Sequence, residues 1–181
     1  MRVFIAVEIS NAEILKKIKT FQEELQINAK ATKINQIHFT LQFLGEIEEK
    51  TCDMVKQQLQ KVTFSQFNLS LKGIGGFPNL KNPRVIWVGV DEEGGRKLIE
   101  LTKEIGIKLT TLGFQNDKKF KPHLTVFRVK HKIGDLSSKV KEYEKIEFGN
   151  QVITKIKLKR SILRPEGAKY SDLLEINGNE K

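Results

Sequence analysis

Two short stretches of this sequence carry the side chains best suited to move protons. His38-Phe39-Thr40-Leu41 and His123-Leu124-Thr125-Val126 share one form: histidine, apolar, threonine, apolar. The chain has three histidines, and two of them sit in this tetrapeptide. Imidazole titrates near neutrality, so it can both take and give a proton there. In a β-strand, residues i and i+2 share a face. Each tetrapeptide, read as a strand, sets an imidazole beside a hydroxyl on one face and two apolar side chains on the other. Phe39, Leu41 and Phe43 are expected to pack inward, with His38, Thr40 and Gln42 facing away. Two such strands side by side would bring two histidines and two hydroxyls to one pocket.

Two histidines opposed across a narrow pocket suit general acid–base catalysis of an in-line displacement at phosphorus. One takes a proton from water or a hydroxyl and the other gives one to the leaving oxygen, each transfer being worth about 10²- to 10⁴-fold. The threonine hydroxyls can hold the non-bridging oxygens, so positioning and fixed dipoles supply the rest. A single His-x-Thr on a strand is more often structural. Two copies at corresponding places are harder to explain by packing, which asks for shape and not for imidazole. A metal site needs three or four ligands, and neither histidine has acidic neighbours in sequence. No metal and no cofactor is therefore expected. His131, between Lys130 and Lys132, reads as solvated.

The elements that must position these residues follow from spacing. Arg2 to Ile9 alternates and is β-branched, a strand signal. Ser10 to Glu13 forms a capping box that opens a helix with the stripe Ile14, Ile18, Phe21 and Leu25. Residues 30–36 are polar and irregular. Ile37 to Leu44 is the first motif strand, closed by Gly45. Glu46 to Val62 reads as a helix with Cys52, Val55, Leu59 and Val62 on one face. A strand carrying Phe67, Leu69 and Leu71 precedes a long loop, signalled by Gly73 to Pro78 and Asn82-Pro83. Arg84 to Val90 is a strand, and Leu98, Leu101, Ile105, Leu109 and Leu112 define a helix stopped by Gly113. A basic connector at 116–121 leads to the second motif strand, His123 to Val129. Asp135 to Tyr143 reads as a short helix. Val152 to Leu163 reads as one long strand, Arg164 to Gly167 as a turn, and Tyr170 to Ile176 as a last strand.

The two halves of the chain can be laid over each other. The motif histidines are 85 positions apart (123 − 38). Aligning the first strands with an offset of 83 (87 − 4) puts Phe4 on Trp87 and Ala6 on Gly89. Strand, helix, His-x-Thr-x strand, helix, strand thus occurs twice, in approximate units 1–73 and 84–163. The fold class expected is α+β, a duplicated bilobal fold. Two lobes related by a pseudo-twofold axis, each with an antiparallel sheet and flanking helices, would intertwine into one catalytic domain over 1–181 with a central cleft.

Composition sets the outer limits. At 39% hydrophobic and 30% charged residues, the chain is expected to fold rather than remain disordered. The single cysteine, Cys52, excludes an internal disulfide framework. The opening Met-Arg-Val-Phe-Ile-Ala-Val reads as a strand and not a signal peptide, and no run approaches the roughly 18 apolar residues of a membrane span. A cytoplasmic monomer without membrane contact is expected. With 32 basic and 22 acidic residues, the net charge of +10 favours polyanions, RNA and DNA above all.

The paired motifs, the lead-in Phe120-Lys-Pro-His-Leu-Thr125, Arg128, the strand Arg84-Val-Ile-Trp87 and the late Gly167-x-x-Tyr170 resemble the two-histidine phosphoesterase superfamily. Within it, the chain is similar to the RNA 2′,3′-cyclic phosphodiesterases, first described as 2′-5′ RNA ligases. The resemblance implies hydrolysis of RNA 2′,3′-cyclic phosphate ends to 2′-phosphomonoesters. It implies that His38 protonates the leaving 3′ oxygen, that His123 activates water, and that Thr40 and Thr125 bind the phosphate. Arg128 is similar to an arginine that the family keeps past its second motif, yet strict alternation puts it on the face opposite His123; either the strand bends or bulges there or Arg128 is a surface residue, and a phosphate contact is expected.

Further substrate contacts are read from the residues themselves. Phe4 and Trp87 could stack bases beside Ala6 and Gly89. Lys155, Lys157, Lys159 and Ser161, flanked by Arg160 and Arg164, form one basic strand face. That face is either a track for the RNA backbone or a solvated edge strand protected by its lysines. Tyr170 is counted with these contacts. Two alternatives stay open: reversible ligation of RNA ends through 2′-5′ bonds, and an RNA-end-binding module without turnover.

Overall fold

Hydrophobic spacing decides where the helices of this computed structural model lie. The structure describes residues 1–115 and 119–180; the connector expected at 116–121 falls partly outside them. The buried stripe Ile14, Ile18, Phe21 and Leu25 builds α1 (Ala12–Leu25). Its N-cap is Asn11, whose Oδ1 accepts from the backbone N–H of Glu13 at 2.9 Å. The cap therefore lies one residue past the Ser10 that the capping-box pattern picks out. Phe21 packs against Phe127 and Phe148 at 6.3 and 6.0 Å between ring centroids. Burying each such side chain is worth roughly 1.5–3 kcal/mol.

The strands are β1 (Arg2–Glu8), β2 (Lys30–Ala31), β3 (His38–Glu46), β4 (Phe67–Phe77), β5 (Val85–Val90), β6 (Leu124–Arg128), β7 (Glu147–Ile153), β8 (Lys155–Arg164) and β9 (Gly167–Asn177). Three more helices, α2 (Glu49–Leu59), α3 (Glu92–Thr110) and α4 (Ser137–Lys141), separate them. One sheet runs β3-β1-β8-β9 and the other β2-β6-β5-β4-β7, with every pairing antiparallel. Apart from β2, the orders correspond: motif strand, first strand of the half, then two more. The two halves are intertwined, because β4 pairs with β5 of the second half while β8 returns to pair with β1. The architecture is a duplicated, bilobal α+β fold. A continuous core of buried residues runs through both sheets.

Four expectations are corrected here. The stretch Val152 to Leu163 is two strands: Ile153 ends β7 in one sheet and Lys155 begins β8 in the other, so Thr154 marks the crossing between lobes. The glycine-rich stretch 73–77 is strand and not loop. Gly73, at φ 74°, takes up a register shift between Leu71 and Ile74, and β4 continues beyond it. Gly75 is needed there because a Cβ would lie 2.1 Å from the Trp87 ring, which rests on it. Within the irregular segment 30–36, Lys30–Ala31 pairs with β6 and Ile34–Gln36 forms a 3₁₀ turn. Finally, Phe43 does not pack inward: it is 67% exposed, while Gln42 is buried.

Candidate active site

The inversion at Gln42 and Phe43 has a local cause that recurs in the other lobe. In the β1–β3 ladder, Thr40 stands opposite Ala6 and Gln42 opposite Ile5, so Leu41 is an extra residue. In the β5–β6 ladder, Thr125 stands opposite Trp87 and Phe127 opposite Ile86, so Val126 is extra. Such a bulge resets the alternation of faces. It settles the parity of Arg128: after the bulge at Val126, Arg128 returns to the face of His123 and Thr125. Phe43 and Arg128 take corresponding places, opposite Phe4 and Val85 respectively. The first strands therefore correspond with an offset of 81 (87 − 6), not 83. Ala6 matches Trp87, Phe4 matches Val85, and Glu8 matches Gly89, so the expected pairing of Phe4 with Trp87 fails by one pleat.

His38, Thr40, His123, Thr125 and Arg128 line one cavity of about 160 Å³. Tyr170 closes it from β9, and Lys30, Lys33 and Gln36 from the segment after α1. The two histidines are held alike. His38 Nδ1 lies 2.7 Å from the carbonyl oxygen of Gln36, and His123 Nδ1 lies 2.6 Å from that of Lys121. A carbonyl only accepts, so both Nδ1 atoms carry hydrogen and each Nε2 is left for chemistry. His38 Nε2 is 3.0 Å from Thr40 Oγ1. Rings wedge both imidazoles: Phe4 and Tyr170 lie 5.2 and 5.6 Å from His38, and Phe77 lies 4.9 Å from His123.

Burial pushes both imidazoles below the ordinary histidine range. For His38, the Gln36 carbonyl opposes this, Lys159 adds to it, Glu8 opposes it and Arg128 adds to it. For His123, the Lys121 carbonyl opposes burial and Arg128 reinforces it. Each ring thus has its neutral form favoured in the free protein.

Other expected contacts are placed differently. Phe4 is only 2% exposed, covered by His38, Phe43 and Tyr170, so it supports His38 and offers no face to a base. Trp87 lies flat on Gly75 with its Nε1 buried, outside the cavity lining. Neither reading of the lysine face holds. β8 is interior, between β1 and β9, and so is not an edge. Lys157 is bonded to Glu8, Asp172 and Glu175 at 2.7, 2.6 and 3.3 Å, and Lys159 is bonded to Glu8 and Asp172. Burial works against charge on Lys157, but these carboxylates outweigh it and hold its ammonium above the ordinary value. Their charge is spent within the protein and makes no track for RNA. Ser161 stands opposite Arg2 and lines a separate depression with Leu163. His131 is exposed. Sequence reasoning missed Gln36, Lys30, Lys33 and Phe77. The backbone carbonyls that orient the histidines leave no trace in residue type, whereas the parity conflict at Arg128 was a visible sign of a bulge.

The profile of the AKAP7 2′5′ RNA ligase-like domain matches residues 2–176. The chain belongs to this family, within the two-histidine phosphoesterases. It is 42% identical over 175 residues to an RNA 2′,3′-cyclic phosphodiesterase of Archaeoglobus fulgidus, covering 96% of this chain and 98% of that one. A protein of the same name from Methanocaldococcus jannaschii is 35% identical over 179 residues, with 97% and 99% covered. Among solved structures, TT0787 of Thermus thermophilus superimposes with a TM-score of 0.80 at 27% identity, covering 98% of this chain and 97% of that one. LigT of E. coli, complexed with 3′-AMP, gives a TM-score of 0.78 over 97% of each chain and, at 22% identity, shows the fold. Among the described residues, no helix is long and apolar enough to cross a membrane.

Proposed function

We propose that the protein hydrolyses RNA 2′,3′-cyclic phosphate ends to 2′-phosphomonoesters without a metal, with His38 as proton donor and His123 as proton acceptor. The observation that carries this reading is the meeting of two Nε2 atoms, two threonine hydroxyls and one guanidinium around a single cavity. The names of the relatives support the substrate.

Thr40, Thr125 and Arg128 hold the non-bridging oxygens and place phosphorus between the imidazoles. His123 Nε2, neutral, takes a proton from water as the water oxygen bonds to phosphorus. The bond from phosphorus to O3′ breaks, and His38, which enters the step as the imidazolium with a second proton on Nε2, gives that proton to O3′ and keeps the one on Nδ1. The products are a 2′-phosphate and a 3′-hydroxyl. Of the two histidines only His38 has a carboxylate among the groups that act on it, Glu8, which offsets part of the lowering by burial, Lys159 and Arg128; the matching position in the second lobe is Gly89. A carboxylate neighbour favours the imidazolium. Both proton transfers come from the chain, so the scheme asks nothing of a metal.

The test is an RNA ending in a 2′,3′-cyclic phosphate, incubated with protein and EDTA, with the product identified. Expected are a 2′-phosphate and loss of turnover in His38→Ala and His123→Ala. Abolition by EDTA, or a 3′-phosphate product, would rule the scheme out. Binding without turnover would leave only an RNA-end-binding module.

The ligase-like description of the family favours one second reading. A ribose 5′-hydroxyl in place of water makes the same displacement a 2′-5′ ligation, with the acid and base roles set by direction. Incubation with a second RNA bearing a 5′-hydroxyl distinguishes the two by product length.

A further inference from the structure

Gln22 sits near the end of α1, outside the cavity lining, and spends both of its amide hydrogens on backbone. Its Nε2 donates to the Val126 carbonyl at 2.9 Å and to the Thr32 carbonyl at 3.0 Å. Two acceptors fix which end of the amide faces them. Val126 is the extra residue of the β6 bulge and stands between Thr125 and Arg128. Its carbonyl also accepts from the Thr32 backbone N–H at 2.9 Å. Phe21, the neighbour of Gln22 on α1, packs on Phe127, the residue after the bulge. Two adjacent residues of α1 thus hold two successive residues of β6. The bulge at Leu41 has a different setting, because β3 is the edge of its sheet while β6 lies between β2 and β5. What the two bulges deliver differs as well. One turns out an exposed Phe43, and the other puts Arg128 on the cavity wall.

We propose that Gln22 is a positioning residue: by fixing the Val126 carbonyl it sets the bulge that aims Arg128 at the phosphate. It touches no substrate itself. The extra residue of a bulge is left unpaired with the partner strand, so its peptide needs a restraint from elsewhere. A guanidinium that meets a phosphate must be well placed, since a displacement of about 1 Å can cost about 10²-fold. Through Thr32, which lines the cavity, the same amide ties the segment that carries Lys33 and Gln36 to β6. The catalytic part of this inference rests on the reaction proposed above, whereas the placement of Arg128 can be read without it.

The test is a double-mutant cycle on an RNA ending in a 2′,3′-cyclic phosphate. Gln22→Met keeps the length of the side chain and loses both hydrogens. Gln22→Glu keeps the shape and turns a carboxylate toward two carbonyls. Each is expected to lose roughly 10-fold in kcat. In an Arg128→Ala background the same changes should cost less than about twofold, because effects that pass through one residue do not add. Equal fold losses in both backgrounds would show that Gln22 does not act through Arg128. An unchanged kcat with a lower melting temperature would leave a stabilising tie and no positioning role. His123 gives a readout that needs no turnover. Burial lowers its titration most, the Lys121 carbonyl opposes this, and Arg128 is the charged group that adds to the lowering. The NMR pH midpoint of His123 should therefore rise in Gln22→Met, as it should in Arg128→Ala. A midpoint that rises in Arg128→Ala and stays put in Gln22→Met would overturn the proposal. If the wild-type protein turned over no cyclic end, the reaction would be overturned, and the His123 midpoint would still decide whether Gln22 places Arg128.

Discussion

Glu8 stands directly across the β1–β3 ladder from His38, and the same carboxylate is bonded to Lys157 and Lys159. His38 is thereby joined to a half-buried charge network that His123 lacks. The groups facing His38 are Glu8 from β1, Lys159 from β8, Arg128 from β6 and the Tyr170 ring from β9. Glu8→Gln removes an influence that raises the His38 pKa, so the imidazole should titrate at lower pH. Lys159→Met removes one that lowers it, so titration should move up. The two variants are expected to shift His38 in opposite directions. NMR titration of His38 in the free protein reads them directly, with His123 as the unmoved control. Shifts of the same sign in both variants would show that the network acts by packing and not by charge.

Stability should fall on mild acidification, for a reason that can be given with its sign. Both histidines titrate below their ordinary value when folded, so the unfolded chain binds more protons just below that value. Their contribution is complete above about pH 6.5 and is lost as pH falls toward the depressed folded values. Glu8 and Asp172 add a second step at lower pH. Burial raises each, but the bonds to Lys157 and Lys159 outweigh it and hold both carboxyls low, so their contribution is lost only below about pH 4. Thermal melts should show Tm dropping between pH 7 and pH 5 in the wild-type protein, and dropping less in the double variant His38→Asn/His123→Asn. Parallel slopes in the two proteins would assign the acid sensitivity to other groups.

Much of this was legible because patterning and pairing agree. The repeated His-x-Thr-x tetrapeptide pointed to the side chains that meet at one cavity, and the stripes Ile14, Ile18, Phe21 and Leu25 of α1 and Leu98, Leu101, Ile105 and Leu109 of α3 are buried. Parity after a bulge was legible only at Arg128, where the expected phosphate contact conflicted with strict alternation, and not at Phe43. One extra residue at Leu41 or Val126 inverts the side chains that follow it, in β3 until a second shift at Leu44, and nothing in the identity of those residues announces it. The lysines of β8 misled for a related reason. Residue type gives charge, but only the fold shows that Glu8, distant in sequence, comes back to neutralise Lys157 and Lys159. The glycine run after Leu71 read as loop, because a strand that must pass beneath Trp87 requires glycine for a reason seen only in the packing.

Arg128 gains its role from the bulge, and its removal should be felt in turnover. Its guanidinium is the cation that follows the second motif onto the cavity wall. Charge developing on the phosphate oxygens is best met by a fixed donor pair, and loss of one such group costs about 10²- to 10³-fold in kcat. Arg128→Ala should fall in that range. Arg128→Lys should retain part of the activity, because an ammonium keeps the charge and loses the fork. Steady-state kinetics on a cyclic-phosphate end measure both variants. An Arg128→Ala enzyme with unchanged kcat and KM would make Arg128 a bystander on the cavity wall.

Gln36 ties the site together from two directions, and its side chain and backbone can be separated by mutation. Its carbonyl accepts from His38 Nδ1, while its Nε2 donates to the Ala168 carbonyl at 2.8 Å and so joins the 3₁₀ turn to the β8–β9 hairpin. Gln36→Ala keeps the first bond and removes the second. A net hydrogen bond of this kind is worth about 0.5–1.5 kcal/mol. With the turn no longer pinned, the carbonyl that sets the His38 tautomer is less well placed, and kcat should fall by roughly 2- to 10-fold. The signature of a positioning role is a broadened His38 signal by NMR, together with rescue by Gln36→Asn only where the shorter amide still reaches Ala168. A fall in melting temperature with kcat unchanged would mean that the tie serves stability alone.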